Sequence, residues 1–149
     1  MGRNLALILT AGAGVLVAMQ APINGHLGGQ VGRIQAALIS FLIGTAILLL
    51  LTFVFAGGFP DGTGVGTVPW QYFIGGALGA AYVATVIFTV KLLGAGGATA
   101  ATITGQLIAA GVIDQLGAFG LEKQPITLQR LLGMALLACG TYLIVAGRE

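Results

Sequence analysis

The chain has 149 residues, of which 57% are hydrophobic and only 7% are charged, and its formal net charge is +2. A soluble domain carries about 25% charged residues, so this composition excludes a soluble globular protein and predicts a polytopic membrane protein. The small and dispersed positive charge also gives no indication of nucleic-acid binding.

The first predicted spanning helix covers residues 5–23, which are apolar over roughly the length that a bilayer crossing needs. Gln20 and Asn24 are four residues apart and therefore share one helix face. Pro22 lies between them, cannot donate a backbone N–H, and crowds the carbonyl of Ala18. Two alternatives follow: the helix kinks at Pro22 beside a cavity, or it ends there and a glycine-rich connection follows.

The second predicted helix covers residues 34–56, and Ser40 is its most central polar residue. We therefore include Ser40 among the side chains expected to line a cavity. A loop rich in glycine and proline follows over residues 57–69 and contains one acid, Asp61.

The third predicted helix covers residues 70–93. Gly75 and Gly79 are four residues apart, which is typical of a face where two membrane helices pack closely. Tyr82 follows at mid-membrane, and a buried tyrosine hydroxyl needs a polar partner. Tyr82 is therefore another candidate for the cavity wall.

The fourth predicted helix, residues 96–119, carries polar side chains in an otherwise apolar segment. At 100° per residue, Thr99, Thr102, Gln106 and Asp114 fall within an arc of roughly 120°. A carboxylate inside a membrane is costly and by default faces a bundle interior or a watery cavity. The arc therefore predicts one wall of a substrate path.

Two residues of this arc have a structural alternative. Asp114 lies nearer one end of its helix and could instead be satisfied by Gln115, Lys123 or backbone groups. Gln106 could form an interhelical hydrogen bond, worth about 0.6 kcal/mol in a membrane. As a functional residue, Asp114 could carry a proton in exchange for substrate or pair with a cationic substrate.

The fifth predicted helix, residues 128–147, follows a polar turn. Its glycines repeat every seven residues at Gly133, Gly140 and Gly147. Small residues at this spacing form one stripe, which predicts tight packing against another helix or a second copy of the chain.

Five crossings would make residues 1–149 a single transmembrane domain with its termini on opposite sides. Each side would carry three Lys or Arg residues: Arg3, Lys123 and Arg130 on one, and Arg33, Lys91 and Arg148 on the other. The orientation of a membrane protein follows the difference in Lys and Arg number between its two sides, and here the two numbers are equal. We therefore expect dual topology, and an antiparallel homodimer that builds an inverted repeat from two chains.

No residue pattern indicates an enzyme or a cofactor. His26 stands alone, Cys139 lies in an apolar stretch, and we find no nucleophile–base pair and no metal-ligand cluster. We therefore expect no catalysis and no bound metal.

A set of residues spread along all five helices resembles the YdcZ family of the drug/metabolite transporter superfamily. The set comprises Gln20, Asn24, Leu27, Ser40-Phe41-x-x-Gly44, Gly75-Gly76-x-Leu78-Gly79-Ala80-x-Tyr82, Leu93-Gly94-Ala95, Gly105-Gln106-Leu107, Asp114, Phe119-Gly120 and Arg130-x-x-Gly133. The resemblance implies a five-helix inner-membrane transporter, similar to half of a ten-helix bundle and to the small multidrug exporters that work as antiparallel dimers. Helix 1 has no acid, so the cation-exchange mechanism of those exporters is not implied here.

The leading hypothesis is a secondary-active exporter of a small polar metabolite or drug-like compound, with lipid and a second copy as its other partners. A cavity wall with more amides than charges favours a neutral or zwitterionic substrate. The alternatives are a channel-like pore and a non-transporting subunit of a larger membrane complex.

Overall fold

The computed structural model describes residues 2–59 and 62–147. All its elements are helical: α1 (Arg3–Val31), α2 (Arg33–Phe55), α3 (Gly62–Val65), α4 (Ile74–Leu116) and α5 (Leu128–Ala146), with 3-10 turns at Trp70–Phe73 and Ala118–Gly120. Four helical segments are long and apolar enough to cross a membrane: Arg3–Val31, Arg33–Phe55, Trp70–Leu116 and Leu128–Ala146. Asp61 and Arg148 lie outside the described residues.

Helix α1 differs from the prediction because it runs through Pro22 and on to Val31. The alternative in which the helix ends at Pro22 is wrong, and most of the predicted glycine-rich connection is helical. The missing proline N–H costs one backbone hydrogen bond, whereas leaving the helix would expose several backbone groups in an apolar surrounding. Gly25 and Gly28 then serve as buried packing positions of a helix.

Helix α4 is 43 residues long and contains one non-helical residue, Gly94, with φ 65° and ψ 173°. A residue with a side chain rarely adopts a positive φ, so glycine permits the break here. The predicted boundary between the third and fourth helices lies at this residue. The break divides α4 into segments 74–93 and 95–116.

The chain forms two compact units. One comprises Met19–Lys91, and the other comprises Met1–Ala18 with Leu92–Glu149. In the first unit, Ala36, Ala37, Val83 and Ile87 form a buried apolar cluster, on which Leu27, Phe41, Tyr82 and Ala84 pack. Helix α2 and segment 74–93 form this cluster and α1 packs on it through Leu27, and small residues allow the helices to approach closely.

In the second unit, segment 95–116 packs antiparallel to α5. The two helices contact each other at four levels: Gly97 with Val145, Thr104 with Thr141, Gly111 with Met134, and Asp114 with Arg130. Positions 97, 104 and 111 are seven residues apart, which keeps one stripe of the segment facing its neighbour.

The turn between these helices begins three residues earlier than predicted, because α4 ends at Leu116. Gly117 adopts the left-handed conformation (φ 64°, ψ 35°), which terminates the helix. Its N–H donates to the Asp114 carbonyl oxygen at 3.2 Å. Thr127 caps α5 by accepting a hydrogen bond from the Arg130 N–H at 3.3 Å.

Candidate functional site

An ion pair joins the end of α4 to the start of α5. Arg130 Nη1 donates to Asp114 Oδ2 at 3.1 Å, and Arg130 Nη2 donates to Gln124 Oε1 at 2.8 Å. The side chains of Arg130 and Asp114 remain 38% and 32% exposed. The pair is therefore formed but still accessible to another charged group.

The turn between the helices sets the register that brings these two side chains together. The N–H of Gln124 donates to the Asp114 carbonyl oxygen at 2.8 Å, and the N–H of Ile126 donates to Gln115 Oε1 at 2.7 Å. These bonds fold the polar turn back onto the last turn of α4. Arg130, in the first turn of α5, then lies opposite Asp114.

A groove of about 210 Å³ runs from this ion pair between the two helices. Its lining combines the two charged side chains with apolar or small residues: Leu107, Ala110, Gly111, Asp114, Arg130, Gly133 and Met134. Met134 Cε lies 2.5 Å from the position that a Cβ on Gly111 would occupy, so glycine is what admits the methionine there. The groove thus has a charged end and an apolar wall.

A second polar contact lies in the unit formed by Met19–Lys91. Asn24 is buried, with 6% of its surface exposed, and its Nδ2 donates to Ser40 Oγ at 3.2 Å. Tyr82 is half-buried and packs against the apolar cluster of the same unit. Of the six predicted cavity residues, Asn24 and Ser40 are thus in direct contact, and Asp114 lines the groove.

Gln20 and Gln106 are exposed on the surfaces of their helices. Two of the predicted packing glycines have neighbours in the structure. Gly79 faces the Phe41 ring, since a Cβ added there would lie 3.6 Å from the nearest ring carbon. Gly133 lines the groove. Around Gly75 and Gly140 the described residues leave open space, and at Gly147 the nearest group is the Leu143 carbonyl of its own helix turn. The α5 residues that face α4 include Met134 and Thr141, each one position after a glycine of the predicted stripe.

Sequence reasoning missed Arg130 as the partner of Asp114. It also missed a polar contact in which the Thr104 and Thr141 hydroxyls lie 2.7 Å apart, each also within reach of the Ala100 carbonyl oxygen. One signal was available in the sequence: Arg130 is the first Lys or Arg of the last helix, and it follows Asp114 across the turn between the two helices.

Among the described residues, no group of three or more His, Cys, Asp or Glu side chains is placed to hold a metal ion.

In a comparison with protein families, residues 5–143 match the family described as "Putative inner membrane exporter, YdcZ". The chain belongs to the YdcZ family. The predicted membership is confirmed, and with it a multi-pass location in the inner membrane, in agreement with the four membrane-length apolar segments. The family is described as one of membrane exporters, which implies transport as the activity of its members.

Neither the curated proteins nor the solved structures include a match to this YdcZ chain. The roles of its individual residues therefore have to be argued from the geometry of the groove and of the Asn24–Ser40 contact.

Proposed function

We propose that this YdcZ protein is a secondary-active exporter of a small polar metabolite or drug-like compound that works by alternating access. The observation that carries the proposal is the Asp114–Arg130 pair at the end of an open groove, in a member of an inner-membrane exporter family. A charged pair between two apolar membrane helices is unusual, so its position beside accessible space supports a role in handling solute or protons.

Asp114 is the residue best suited to couple transport to protons. Its carboxylate lines the groove and pairs with Arg130, so a change in its charge would release Arg130 and alter the charge presented to the groove. Exchange of a proton for substrate at one carboxylate is the simplest way for a single site to drive export. The other predicted cavity residues, Gln20, Asn24, Ser40, Tyr82 and Gln106, stay predictions.

Five membrane crossings are part of the proposal. At 1.5 Å per residue, the 43 residues of α4 would extend about 65 Å as one straight helix, roughly twice the hydrocarbon thickness of a bilayer. The break at Gly94 supports one crossing for each segment of α4. The Lys and Arg residues then divide three to three between the two sides, as counted from the sequence.

This balance supports an antiparallel homodimer, because a chain without charge bias can insert in both orientations. Two oppositely inserted copies would create the inverted repeat that many secondary transporters carry in one chain. The open glycine positions at Gly75 and Gly140 leave room for a close approach by another helix.

The proton-coupling role is tested by Asp114→Asn in proteoliposomes, with Glu122→Gln as the matched control. Both variants replace an acid with its amide, and Glu122 is exposed in the turn without lining the groove. We expect Asp114→Asn to abolish flux driven by a pH gradient while the protein stays folded, and Glu122→Gln to keep it. Unchanged proton-driven flux in Asp114→Asn would exclude the role, and flux without counterflow would indicate a channel.

The dual topology is tested with reporters fused to the C-terminus, one active only on each side of the membrane. We expect both reporters to give signal, and an added Lys pair at either end of the chain to abolish one of the two signals. Signal from one side alone would overturn the antiparallel homodimer.

A further inference from the structure

The groove between segment 95–116 and α5 presents a positive and a negative group side by side, next to an apolar surface. Arg130 Nη1 and Asp114 Oδ2 are 3.1 Å apart, and both side chains keep about a third of their surface exposed. Leu107, Ala110 and Met134 supply the adjoining apolar wall. A complementary ligand therefore has two opposite charges close together and a short apolar tail.

We propose that the groove is a binding site for a zwitterion of the α-amino-acid type with an apolar side chain. Its carboxylate binds Arg130, its ammonium binds Asp114, and its side chain lies against Leu107 and Met134. This inference rests on the proposed function, since it names the substrate class of the exporter.

Charge balance favours this ligand over one with a single charge. A ligand with only a carboxylate would bind Arg130 and leave the Asp114 carboxylate without a partner. A ligand with only an ammonium would bind Asp114 and leave the Arg130 guanidinium without a partner. Leaving a partly buried charge unpaired is costly, whereas a zwitterion replaces one ion pair with two. The existing hydrogen bond from Arg130 Nη2 to Gln124 Oε1 holds the guanidinium in place during this exchange.

The size of the groove also limits the ligand. A volume of about 210 Å³ equals the liquid volume of roughly seven water molecules. This is below the usual range of drug-sized pockets, about 300–1,000 Å³, and favours a small metabolite as the ligand. The charges must sit close together, because the two protein groups they contact are themselves in contact.

The test measures binding to purified protein in lipid nanodiscs by competition with radiolabelled L-leucine. The competitors are L-leucine, 4-methylpentanoate, which lacks the ammonium, 3-methylbutylamine, which lacks the carboxylate, and 6-aminohexanoate, an isomer with its charges at opposite ends. We expect L-leucine to bind and each other compound to bind at least about tenfold more weakly, since each loses a charge-assisted contact.

Two charge variants test whether the pair contacts the ligand or only joins the helices. In Asp114→Asn, the preference for L-leucine over 4-methylpentanoate should disappear, because the ammonium has lost its partner. In Arg130→Gln, the preference for L-leucine over 3-methylbutylamine should disappear for the opposite reason. A pair that only joins the helices would leave both preferences unchanged, and that result would overturn the proposal.

Two matched variants test the position of the site. Ala110→Leu fills the groove, whereas Ala109→Leu adds the same side chain one residue earlier, outside the lining. We expect the first to weaken L-leucine binding at least about tenfold and the second to leave it unchanged. Absence of L-leucine binding to the unaltered protein, or equal effects of the two variants, would overturn the site.

The outcomes also separate this inference from the proposed function. If L-leucine binds with the expected pattern but reconstituted protein moves no solute, the site stands and the exporter proposal fails. If another solute is transported and Ala110→Leu does not alter its flux, the exporter proposal stands and the groove is not the substrate site.

Discussion

The two units of the molecule use different means to hold helices together. The unit formed by Met19–Lys91 contains all the buried apolar side chains of the described residues except Ala98, and its helices meet through small residues. Segment 95–116 and α5 also meet at small residues, Gly97 and Gly111, but they are joined in addition by polar contacts, from the Thr104–Thr141 hydroxyls to the Asp114–Arg130 ion pair.

This difference indicates a division of roles. Apolar burial provides no driving force in lipid, so the first unit depends on close packing. Among its described residues Asn24 is the one buried polar side chain, and it is satisfied by Ser40. The α4–α5 pair keeps its charges accessible at the edge of a groove. This difference supports the proposal in which the groove is the site and the packed unit its scaffold.

The largest expected effect on stability comes from breaking the packed unit with Gly28→Val. A Cβ at Gly28 would lie 2.8 Å from Ile87 Cγ2 and 3.4 Å from the Arg33 Cα, so the helices would have to separate. We expect a loss of about 1–3 kcal/mol, as for other overpacked cores. Titration with denaturing detergent measures it.

Gly14→Val in the same helix is the control, since the described residues leave open space around Gly14. We expect the stability of Gly14→Val to remain close to that of the parent protein. If both variants were equally stable, close packing at Gly28 would not hold this unit together.

A smaller effect is expected when the polar contact of the packed unit is removed by Ser40→Ala. The buried Asn24 amide would lose its partner, at a cost of about 1 kcal/mol. Thr45→Val, at an exposed position of the same helix, is the control and should change stability less. Equal stability of Ser40→Ala and the parent protein would mean that the Asn24–Ser40 contact contributes nothing.

The sequence was sufficient for the membrane class and the family, because both depend on composition and on spacing along the chain. It was not sufficient for α1, where Pro22 and the following glycines predicted a break or kink. Gly25 and Gly28 instead are buried among side chains of other helices, including Val90 and Ile87. Their role depends on neighbours that the local sequence does not contain.

The candidate site was predicted only in part for a similar reason. Periodicity placed Asp114 on a polar arc, but its partner Arg130 lies sixteen residues away, beyond the turn. The register between the two helices depends on where Gly117 ends α4 and on how the Gln124 N–H folds the turn back. No periodic pattern contains that geometry.

The most direct test of the groove's role removes both of its charges at once, in Asp114→Asn/Arg130→Gln, and leaves no unpaired charge behind. The control, Glu122→Gln/Lys123→Gln, removes one acid and one base from the exposed turn. The free energy of unfolding of both variants should stay within about 1 kcal/mol of the parent protein's, since the Asp114–Arg130 pair is partly exposed and Glu122 and Lys123 are exposed in the turn. We predict that substrate flux in proteoliposomes falls at least about tenfold in the groove variant and is retained in the control; equal flux in the two would contradict a role for the groove in transport.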